Sequence, residues 1–388
     1  MSKPSPTFPT EAGAAAVARV GRLMTLGSLV REARTGLLPS GAMHNEQVLR
    51  DQVAQATGRP QDGAPIVQLK GDASNRSYLR VGRWPDSHVV MVMPPGPQKS
   101  EEASKGGPPA ELPFMNVQRY LEGIGVRVPH ILRYDAAAGM MVLEDLGDMT
   151  FERALDGVAP EALYGRAVDL LARMRAAAEA HPDPGCLAFT RAFDEELYTW
   201  ELHHFREYGL EAWSGKVLSA SERARLERAF AGIAGRLAAA PRGFTHRDYQ
   251  SRNLMMTHGD LVLIDFQDAL QGPWQYDLVA LLRDSYVELE PAVVESMIDR
   301  WLAEYGRASG RTLERRAFRR FFDLLTIQRK LKDAARFEFI HRVKKNPSFL
   351  PSIPASLRYA RAAMERLADD ADVVALREVA VRYVPELR

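Results

Sequence analysis

The chain has 388 residues, of which 46% are hydrophobic, and its formal net charge is +1. This length allows two lobes around a sizeable core, and so small a net charge provides no field that would attract nucleic acid or an anionic membrane. One cysteine excludes a disulfide framework within the chain and a cysteine-based zinc site. The sequence contains no run of about 18 apolar residues, the pattern that would predict a membrane span. We expect a cytoplasmic protein with no nucleic-acid, membrane or protein partner.

Residues 1–43 have the composition of an N-terminal extension. The opening SKPSPTFPTEAG is rich in turn residues and predicts disorder, while the stretch that follows predicts a short amphipathic helix. That helix is rich in arginine and poor in acid, as organelle transit peptides are. A plain extension ahead of a folded part that begins near Met43 explains the same composition, and we favour this interpretation.

Residues 44–143 predict a small β-rich lobe. A short helix over 44–57 is followed by three strand-like runs, APIVQLK, SYLRV and HVVMVM. After a Gly/Pro-rich loop, Phe114, Val117 and Leu121 recur at helical spacing, and two further strand-like runs follow, HILRYD and GMMVLED. Three strands, one helix and two strands in this order predict an antiparallel sheet with a helix packed against it.

Residues 144–148 form the predicted hinge to a second lobe, residues 149–388, in which helical patterns dominate. Apolar residues recur at helical spacing in several segments: 160–180, 191–207, 220–239 and a long basic segment from Leu313 to about Val343. Two short apolar runs, FTHRD and LVLIDF, interrupt the helices. The predicted fold class is therefore α+β, with a small β-rich lobe followed by a larger helical one.

The stretches FTHRDYQSRNL and LVLIDF contain polar residues in an order that suits phosphoryl transfer: His246, Asp248, Asn253 and, after an apolar run, Asp265. Moving a phosphoryl group needs an acceptor hydroxyl held in line and metal ions that neutralise phosphate charge. Asp248 can orient the hydroxyl and accept its proton, while Asn253 and Asp265 offer the hard oxygen ligands that Mg²⁺ prefers. We expect His246 to brace the loop by hydrogen bonding to the backbone.

The motifs HRDYQSRN, LIDFQDALQGPWQYDLVALLRD and MVLEDLG resemble those of the aminoglycoside phosphotransferase-like kinases, a family with the two-lobed protein-kinase-like fold. The resemblance extends from about residue 62 to residue 370. Within that family, GDASNRSYLR, IQRKLKDAARF, NPSFL and IPASL are most similar to the bacterial N-acetylmuramate/N-acetylglucosamine kinases of cell-wall recycling. The resemblance implies ATP and Mg²⁺ as cofactors and the anomeric hydroxyl of an amino sugar as the acceptor.

The same resemblance implies roles for individual residues. It makes Asp248 the catalytic base and places Mg²⁺ on Asn253 and Asp265. It makes Asp277 a structural brace of the catalytic loop. It assigns nucleotide binding to a phosphate-covering turn and to the hinge: Gly71, Ser74 and Arg76 in the turn, and Glu144 and Leu146 in the hinge.

One part of the family's pattern is missing. Kinases of this fold carry a lysine on the third strand that grips the phosphates, whereas the corresponding stretch HVVMVMPP has none. Either a nearby basic residue takes over this role, for which the candidates are Lys70, Arg76 and Arg80, or the chain is a nucleotide-binding pseudokinase. The complete set of catalytic and metal-binding residues favours an active enzyme.

Acceptor recognition is assigned to the helical lobe. The segment FDEELYTWELHHFREYGLEAW places Glu201 and His204 near aromatic rings that can stack on a sugar. The alternative is that its large side chains form a plain core stripe: Phe193, Leu197, Trp200 and Phe205. Gln267, Asp268 and Arg283 follow the metal-binding motif closely enough to contact the acceptor or the transferred charge.

Arg329 and Lys332 on the long basic segment can contact an anionic substrate, although a solvated helix face is the commoner explanation for such charges. A second enzymatic function also fits the sequence, a kinase for an aminoglycoside or another small amino alcohol. A polycationic acceptor would suit the acidic residues of the aromatic segment: Asp194, Glu195, Glu196 and Glu201. We favour the sugar kinase because the motifs that resemble it extend beyond the catalytic signature.

Overall fold

The computed structural model describes residues 45–69, 76–94, 111–156 and 158–388. The predictions made for residues 1–43, Lys70, Gly71 and Ser74 lie outside these residues. The chain divides into two units, Met1–Leu49 and Arg50–Arg388. Helix α1 (Glu46–Thr57) is the first element described.

The first lobe of the larger unit contains a five-stranded antiparallel sheet in the order β1-β2-β3-β5-β4. Its strands are β1 (Ile66–Leu69), β2 (Ser77–Val81), β3 (His88–Val92), β4 (Ile131–Asp135) and β5 (Met140–Glu144). Strands β3 and β5 pair with each other and are the most buried, because their HVVMV and MMVLE sequences are almost wholly apolar. Helix α2 (Pro113–Gly123) buries Phe114, Val117 and Leu121. The predicted order of three strands, one helix and two strands is confirmed.

The second lobe is mainly helical. Its helices are α3 (Phe151–Ala154), α4 (Pro160–Ala180), α5 (Glu195–His204), α6 (Ala220–Ala238), α7 (Tyr276–Leu282), α8 (Pro291–Ser309), α9 (Arg315–Lys344), α10 (Ile353–Arg366) and α11 (Ala371–Ala380). The predicted segments 160–180 and 220–239 correspond closely to α4 and α6. None of the helices described is long and apolar enough to cross a membrane.

Two short pairs of antiparallel strands interrupt the helices at the predicted apolar runs. Strand β6 (Arg242–Thr245) pairs with β9 (Leu270–Pro273), and β7 (Leu254–Thr257) pairs with β8 (Asp260–Leu263). Strand β6 leads into His246, and β8 ends two residues before Asp265. The two pairs therefore fix the starting points of both polar motifs.

The helix predicted over 191–207 differs from the structure at both ends. Helix α5 begins only at Glu195, because the Asp194 side chain caps it by accepting a backbone hydrogen bond at 2.8 Å. Before the cap, Phe193 donates its N–H to the carbonyl of Gln271 in β9 at 2.9 Å, which holds the chain extended. After α5 the chain continues as a π-helix, Phe205–Ala212.

Candidate active site

Asp277 holds the start of the predicted catalytic loop, residues 246–253. It is buried on α7 and accepts hydrogen bonds from the backbone N–H groups of His246 at 2.7 Å and Arg247 at 2.9 Å. Arg247 needs this support because its φ of 81° lies in the strained left-handed region. Nε2 of His246 lies 3.1 Å from the carbonyl oxygen of Ile264 and so carries a proton, because a carbonyl only accepts. The predicted bracing roles of Asp277 and His246 are confirmed.

Asp248 is the loop carboxylate that stays accessible, with 35% of its side chain exposed. Its Oδ1 accepts a hydrogen bond from Nη2 of Arg329 at 3.2 Å, while Oδ2 has no hydrogen bond from any residue that the structure describes. Burial by itself raises the pKa of the Asp248 carboxyl, but the positive charges of Arg329, Arg247 and Lys332 together outweigh it, and the pKa lies below its usual value. Asp248 is therefore ionised at neutral pH and has one oxygen open to an acceptor.

Asn253 and Asp265 lie close together and offer oxygen ligands for a cation. The Nδ2 amide of Asn253 donates to the backbone carbonyl of Asp248 at 2.9 Å, which leaves its Oδ1 for a metal. The backbone N–H of Ile264 donates to the carbonyl of Asn253 at 3.0 Å and so ties the segment before Asp265 to the catalytic loop. Asp265 itself has a φ of 63°, and its Oδ1 accepts from Nε2 of Gln267 at 2.8 Å.

The electrostatics of this pair fit a divalent cation. Desolvation and the nearby negative charge of Asp248 raise the pKa of the Asp265 carboxyl to about 6. Because Asp265 is open to solvent, the desolvation comes from the surrounding walls and not from full burial. The described residues contain no cluster of three or more His, Cys, Asp and Glu side chains that could hold a metal. One carboxylate and one amide oxygen suit Mg²⁺, which takes its other ligands from water and substrate phosphates.

An apolar surface beside this pair is formed by the segment after β5 together with strands β7 and β8. Leu146, Met255 and Val262 are buried together, and Ile264 packs against them. Since Ile264 directly precedes Asp265, the surface adjoins the candidate metal site. An apolar surface next to a few polar groups is the usual environment of a planar ligand ring.

The Glu144 side chain is committed to the sheet and not to a ligand. Its carboxylate pairs with Arg127 and accepts the backbone N–H of His130 at 3.1 Å. The backbone N–H of Glu144 donates to the carbonyl of His130 at 3.0 Å. At Glu144, only the backbone carbonyl therefore remains for a nucleotide contact. A backbone contact is what the predicted hinge role requires.

Of the candidates for the missing lysine, Arg80 is already engaged. It donates to both carboxylate oxygens of buried Asp145, at 2.5 and 2.9 Å, so its guanidinium is committed within the protein and Arg80 is the less favoured candidate. Arg76 lies directly before β2, where it hydrogen-bonds the Tyr78 side chain and its charge acts on Asp265. Arg76 is therefore the candidate whose charge acts on Asp265, the predicted metal ligand.

Helices α5 and α9 contribute buried polar atoms that lack partners. Nε2 of Gln328 donates to Oε2 of Glu201 at 2.5 Å. In contrast, Oε1 of Glu201, Oε1 of Gln328 and Nε2 of His204 have no hydrogen-bond partner among the described residues. Burial raises the pKa of Glu201 and lowers that of His204 to about 4. Because buried polar atoms are normally satisfied, this group suits a small polar ligand.

Aromatic rings surround His204 on the same helix. Its ring stacks on Trp200 at 5.5 Å and meets Tyr208 at 4.8 Å. Trp200 is 42% exposed, whereas Phe193 and Phe205 are fully buried. The core-stripe interpretation thus holds for Phe193 and Phe205 and is wrong for Trp200, whose indole is available to a ligand.

Two of the three remaining acceptor candidates lie at the site. Gln267 contacts Asp265, and the charge of half-buried Asp268 acts on the same carboxyl. Arg283 lies elsewhere, with its guanidinium over the ring of Tyr359 at 5.2 Å. Within the described chain it makes no hydrogen bond or ion pair with the catalytic loop, so the structure does not bring Arg283 to the site.

Sequence reasoning missed the role of α9. Arg329 is 1% and Lys332 9% exposed, so the solvated helix face is wrong for both. Asp333 offsets part of this positive charge by pairing with Lys330 at 2.6 Å and Lys332 at 3.2 Å. The alternation of bases and acid in IQRKLKDAARF was a signal of buried pairing, but it does not reveal the contact with Asp248.

Comparison with known families and proteins adds an independent line of evidence. Residues 65–319 match the phosphotransferase enzyme family, APH. The chain is 32% identical over 323 residues to the N-acetylmuramate/N-acetylglucosamine kinase of Neisseria meningitidis, covering 82% of this chain and 91% of that protein. It is 32% identical over 304 residues to the protein of the same name from Pseudomonas aeruginosa, covering 78% and 85%.

Solved structures resemble the chain in fold. A choline/ethanolamine kinase family protein from Mesorhizobium loti has a TM-score of 0.54 and 18% identity, covering 86% of this chain and 99% of that one. The ADP-bound aminoglycoside phosphotransferase APH(2'')-Ib has a TM-score of 0.52 and 13% identity, covering 82% and 98%. The predicted two-lobed, protein-kinase-like fold is confirmed.

Proposed function

The chain belongs to the phosphotransferase enzyme family, and we propose that it transfers the γ-phosphoryl group of ATP to the anomeric hydroxyl of N-acetylmuramate or N-acetylglucosamine in cell-wall recycling. The observation that carries this proposal is the Asp248 carboxylate, ionised and with one open oxygen, beside the oxygen ligands Asn253 and Asp265. Relatives named for these two sugars align with 82% and 78% of the chain, which supports the choice of acceptor.

In this proposal ATP binds between the hinge and the catalytic loop. The adenine lies on the apolar surface of Leu146, Met255 and Ile264 and meets the hinge backbone that begins at Glu144. Phosphate binding by Gly71 and Ser74 stays a prediction from the sequence, and Arg76, directly before β2, replaces the missing lysine. Asn253 and Asp265 would hold Mg²⁺, which would supply positive charge to neutralise the phosphates.

Asp248 acts on the acceptor. Its Oδ2 orients the sugar hydroxyl towards the γ-phosphorus and takes the proton as the new oxygen–phosphorus bond forms. Since the transition state is loose and the proton leaves late, a carboxylate with a low pKa is a sufficient base. The low pKa that Arg329 and the neighbouring positive charges cause in Asp248 is therefore compatible with the reaction.

The acceptor site combines polar and aromatic groups. Glu201, Gln328 and His204 supply the unpartnered buried atoms that bind the hydroxyl and acetamido groups of the sugar. The exposed indole of Trp200 covers an apolar sugar face. Gln267 and Asp268 border the reacting oxygen. A donor-rich and acceptor-rich ligand such as an amino sugar satisfies all these atoms at once.

An aminoglycoside or another small amino alcohol is the second candidate acceptor, because acidic residues of α5 would suit a polycation. Asp194, however, caps α5, and Glu201 is fully buried against Gln328. Asp194 is therefore committed to the helix cap, and burial raises the pKa of Glu201, which weakens its attraction for a polycation. Both observations favour the amino sugar. A pseudokinase is disfavoured because the relatives are named as kinases.

The test is an ADP-release assay with ATP, Mg²⁺ and one acceptor at a time: N-acetylmuramate, N-acetylglucosamine, kanamycin and choline. We expect turnover with one or both amino sugars, and Asp248→Asn should abolish it. Faster turnover with kanamycin or choline than with either amino sugar would favour the second candidate. Binding of ADP without turnover of any acceptor would contradict the proposal and favour a pseudokinase.

A further inference from the structure

The long helix α9 contacts the proposed base directly. Arg329 is almost completely buried and donates from Nη1 to the backbone carbonyl of Arg247 at 2.8 Å. From Nη2 it donates to Oδ1 of Asp248 at 3.2 Å. One guanidinium thus holds two successive residues of the catalytic loop, the first through its backbone and the second through its reacting side chain.

The guanidinium of Arg329 is itself fixed by its neighbours. It lies over the ring of Tyr276 at 4.9 Å, and its Nε is 4.0 Å from a carboxylate oxygen of Asp333. Asp333 is anchored by Lys330 at 2.6 Å, and the same lysine donates to Ser285 at 2.7 Å. A planar guanidinium held in this way imposes one orientation on the carboxylate it contacts.

We infer that Arg329 is a positioning residue for phosphoryl transfer and acts through Asp248, an inference that rests on the proposed function. By occupying Oδ1, Arg329 presents Oδ2 to the acceptor. The acceptor O–H bond breaks and its proton passes to Oδ2, while the acceptor oxygen bonds to the γ-phosphorus. The bond from the γ-phosphorus to the bridging oxygen breaks, and ADP leaves with that electron pair. Arg329 exchanges no proton and touches no substrate.

A cation is needed at this position because the site collects negative charge. Asp248 and Asp265 interact electrostatically, and both face a polyanionic nucleotide in the proposed complex. Without Arg329 this repulsion turns the Asp248 carboxylate away from the phosphates, whereas attraction to a buried guanidinium holds it in place. Removal of Arg329 also takes a hydrogen bond from the carbonyl of Arg247, whose backbone is left-handed, and this displaces Asp248 further.

The test compares Arg329→Met and Arg329→Lys with the control Arg175→Met. Arg175 is also buried, 3% exposed, and donates to the carbonyls of Phe244 at 3.3 Å and Gly272 at 3.0 Å. We expect Arg329→Met to lower kcat about 100-fold, the effect of misplacing a reacting group by roughly 1 Å, with both KM values nearly unchanged. Arg329→Lys keeps the charge and should recover part of kcat, and guanidinium ion should partly restore Arg329→Ala.

The control should lose thermal stability but keep kcat. Equal losses of kcat in Arg329→Met and Arg175→Met, both folded and binding ADP, would overturn the inference. A raised KM for the acceptor at unchanged kcat would do so as well, because Arg329 would then bind substrate. If Arg329→Met does not fold, the kcat of Arg329→Lys is compared with that of Arg175→Met instead. A lower kcat in Arg329→Lys supports the inference, and an equal kcat overturns it. ATP hydrolysis measured without an acceptor separates the two claims. A wild-type protein that phosphorylates no amino sugar contradicts the proposed function. A slower ATP hydrolysis in the Arg329 variants than in the wild type still supports the positioning role of Arg329.

Discussion

Replacing Asp277 with alanine should destabilise the protein and displace the catalytic loop. The buried carboxylate accepts the N–H groups of His246 at 2.7 Å and Arg247 at 2.9 Å. Hydrogen bonds to a charged group contribute roughly 1.5–3 kcal/mol each, so the pair contributes about 3–6 kcal/mol. Relaxation of the left-handed Arg247 offsets roughly 1–3 kcal/mol, which leaves a net loss of about 2–3 kcal/mol when the low ends and the high ends of the two ranges are paired. A loop shift of roughly 1 Å should also lower kcat about 100-fold.

Urea unfolding and steady-state kinetics measure these two effects separately. The matched control is Asp370→Ala, because Asp370 is also buried, pairs with Arg236 and caps α11 through the N–H of Val373 at 3.2 Å. The control should lose comparable stability and keep kcat. Asp277→Asn, whose amide oxygen can replace one carboxylate oxygen only, should lie between wild type and Asp277→Ala. A stability loss below about 1 kcal/mol, or a kcat no lower than that of the control, would refute the reasoning.

Three further substitutions probe other parts of the structure. Glu201→Gln should raise the KM for the sugar about tenfold and leave the KM for ATP unchanged, because one hydrogen bond to a charged group is lost. The control is Glu304→Gln, because Glu304 is also buried, on α8. An equal rise in KM in both variants would contradict the assignment of Glu201 to the sugar site. His204 has a folded-state pKa of about 4, below its unfolded value of 6.5, so the unfolded chain binds the extra proton and stability is lost as the pH falls from 6.5 to 4. His204→Phe should abolish that loss of unfolding free energy, which is on the order of 3 kcal/mol, and urea unfolding at the two pH values measures it. An unchanged pH dependence in His204→Phe would contradict this role of His204. Gly272→Ala places a Cβ 2.8 Å from Oγ1 of Thr245 and should cost about 1–3 kcal/mol in urea unfolding, whereas an unchanged midpoint would show that the strand pair can open to accept it.

Most of the fold could be predicted because it follows from local periodicity. The spacing of Phe114, Val117 and Leu121 indicated α2, and the Ser219 capping box places the start of α6 where the apolar pattern begins. Strand β9 was not predicted, because its LQGP sequence has the glycine and proline of a turn and becomes a strand only by pairing with β6. The π-helical continuation of α5 has no local signal of this kind either.

The candidate site likewise contains residues that could be predicted from the sequence and residues that could not. Asp248, Asn253 and Asp265 could be identified as candidates because residue types that suit the base and the metal ligands of phosphoryl transfer occur together in one stretch of the chain. Arg329 could not, because its partner Asp248 is 81 residues away and a basic helix looks solvated until that partner is known. Gln328 was missed for a similar reason, since its contact with Glu201 spans 127 residues.

The most direct test of the central claim is the position of the phosphate in the product. The protein is incubated with ATP, Mg²⁺ and N-acetylmuramate or N-acetylglucosamine, and the product is examined by ³¹P NMR together with an assay for reducing sugar. We expect a phosphorus resonance coupled to the anomeric proton and the loss of the reducing end, and neither should occur with Asp248→Asn. A phosphate on any other hydroxyl, or no sugar phosphate from either substrate, would contradict the proposed anomeric kinase.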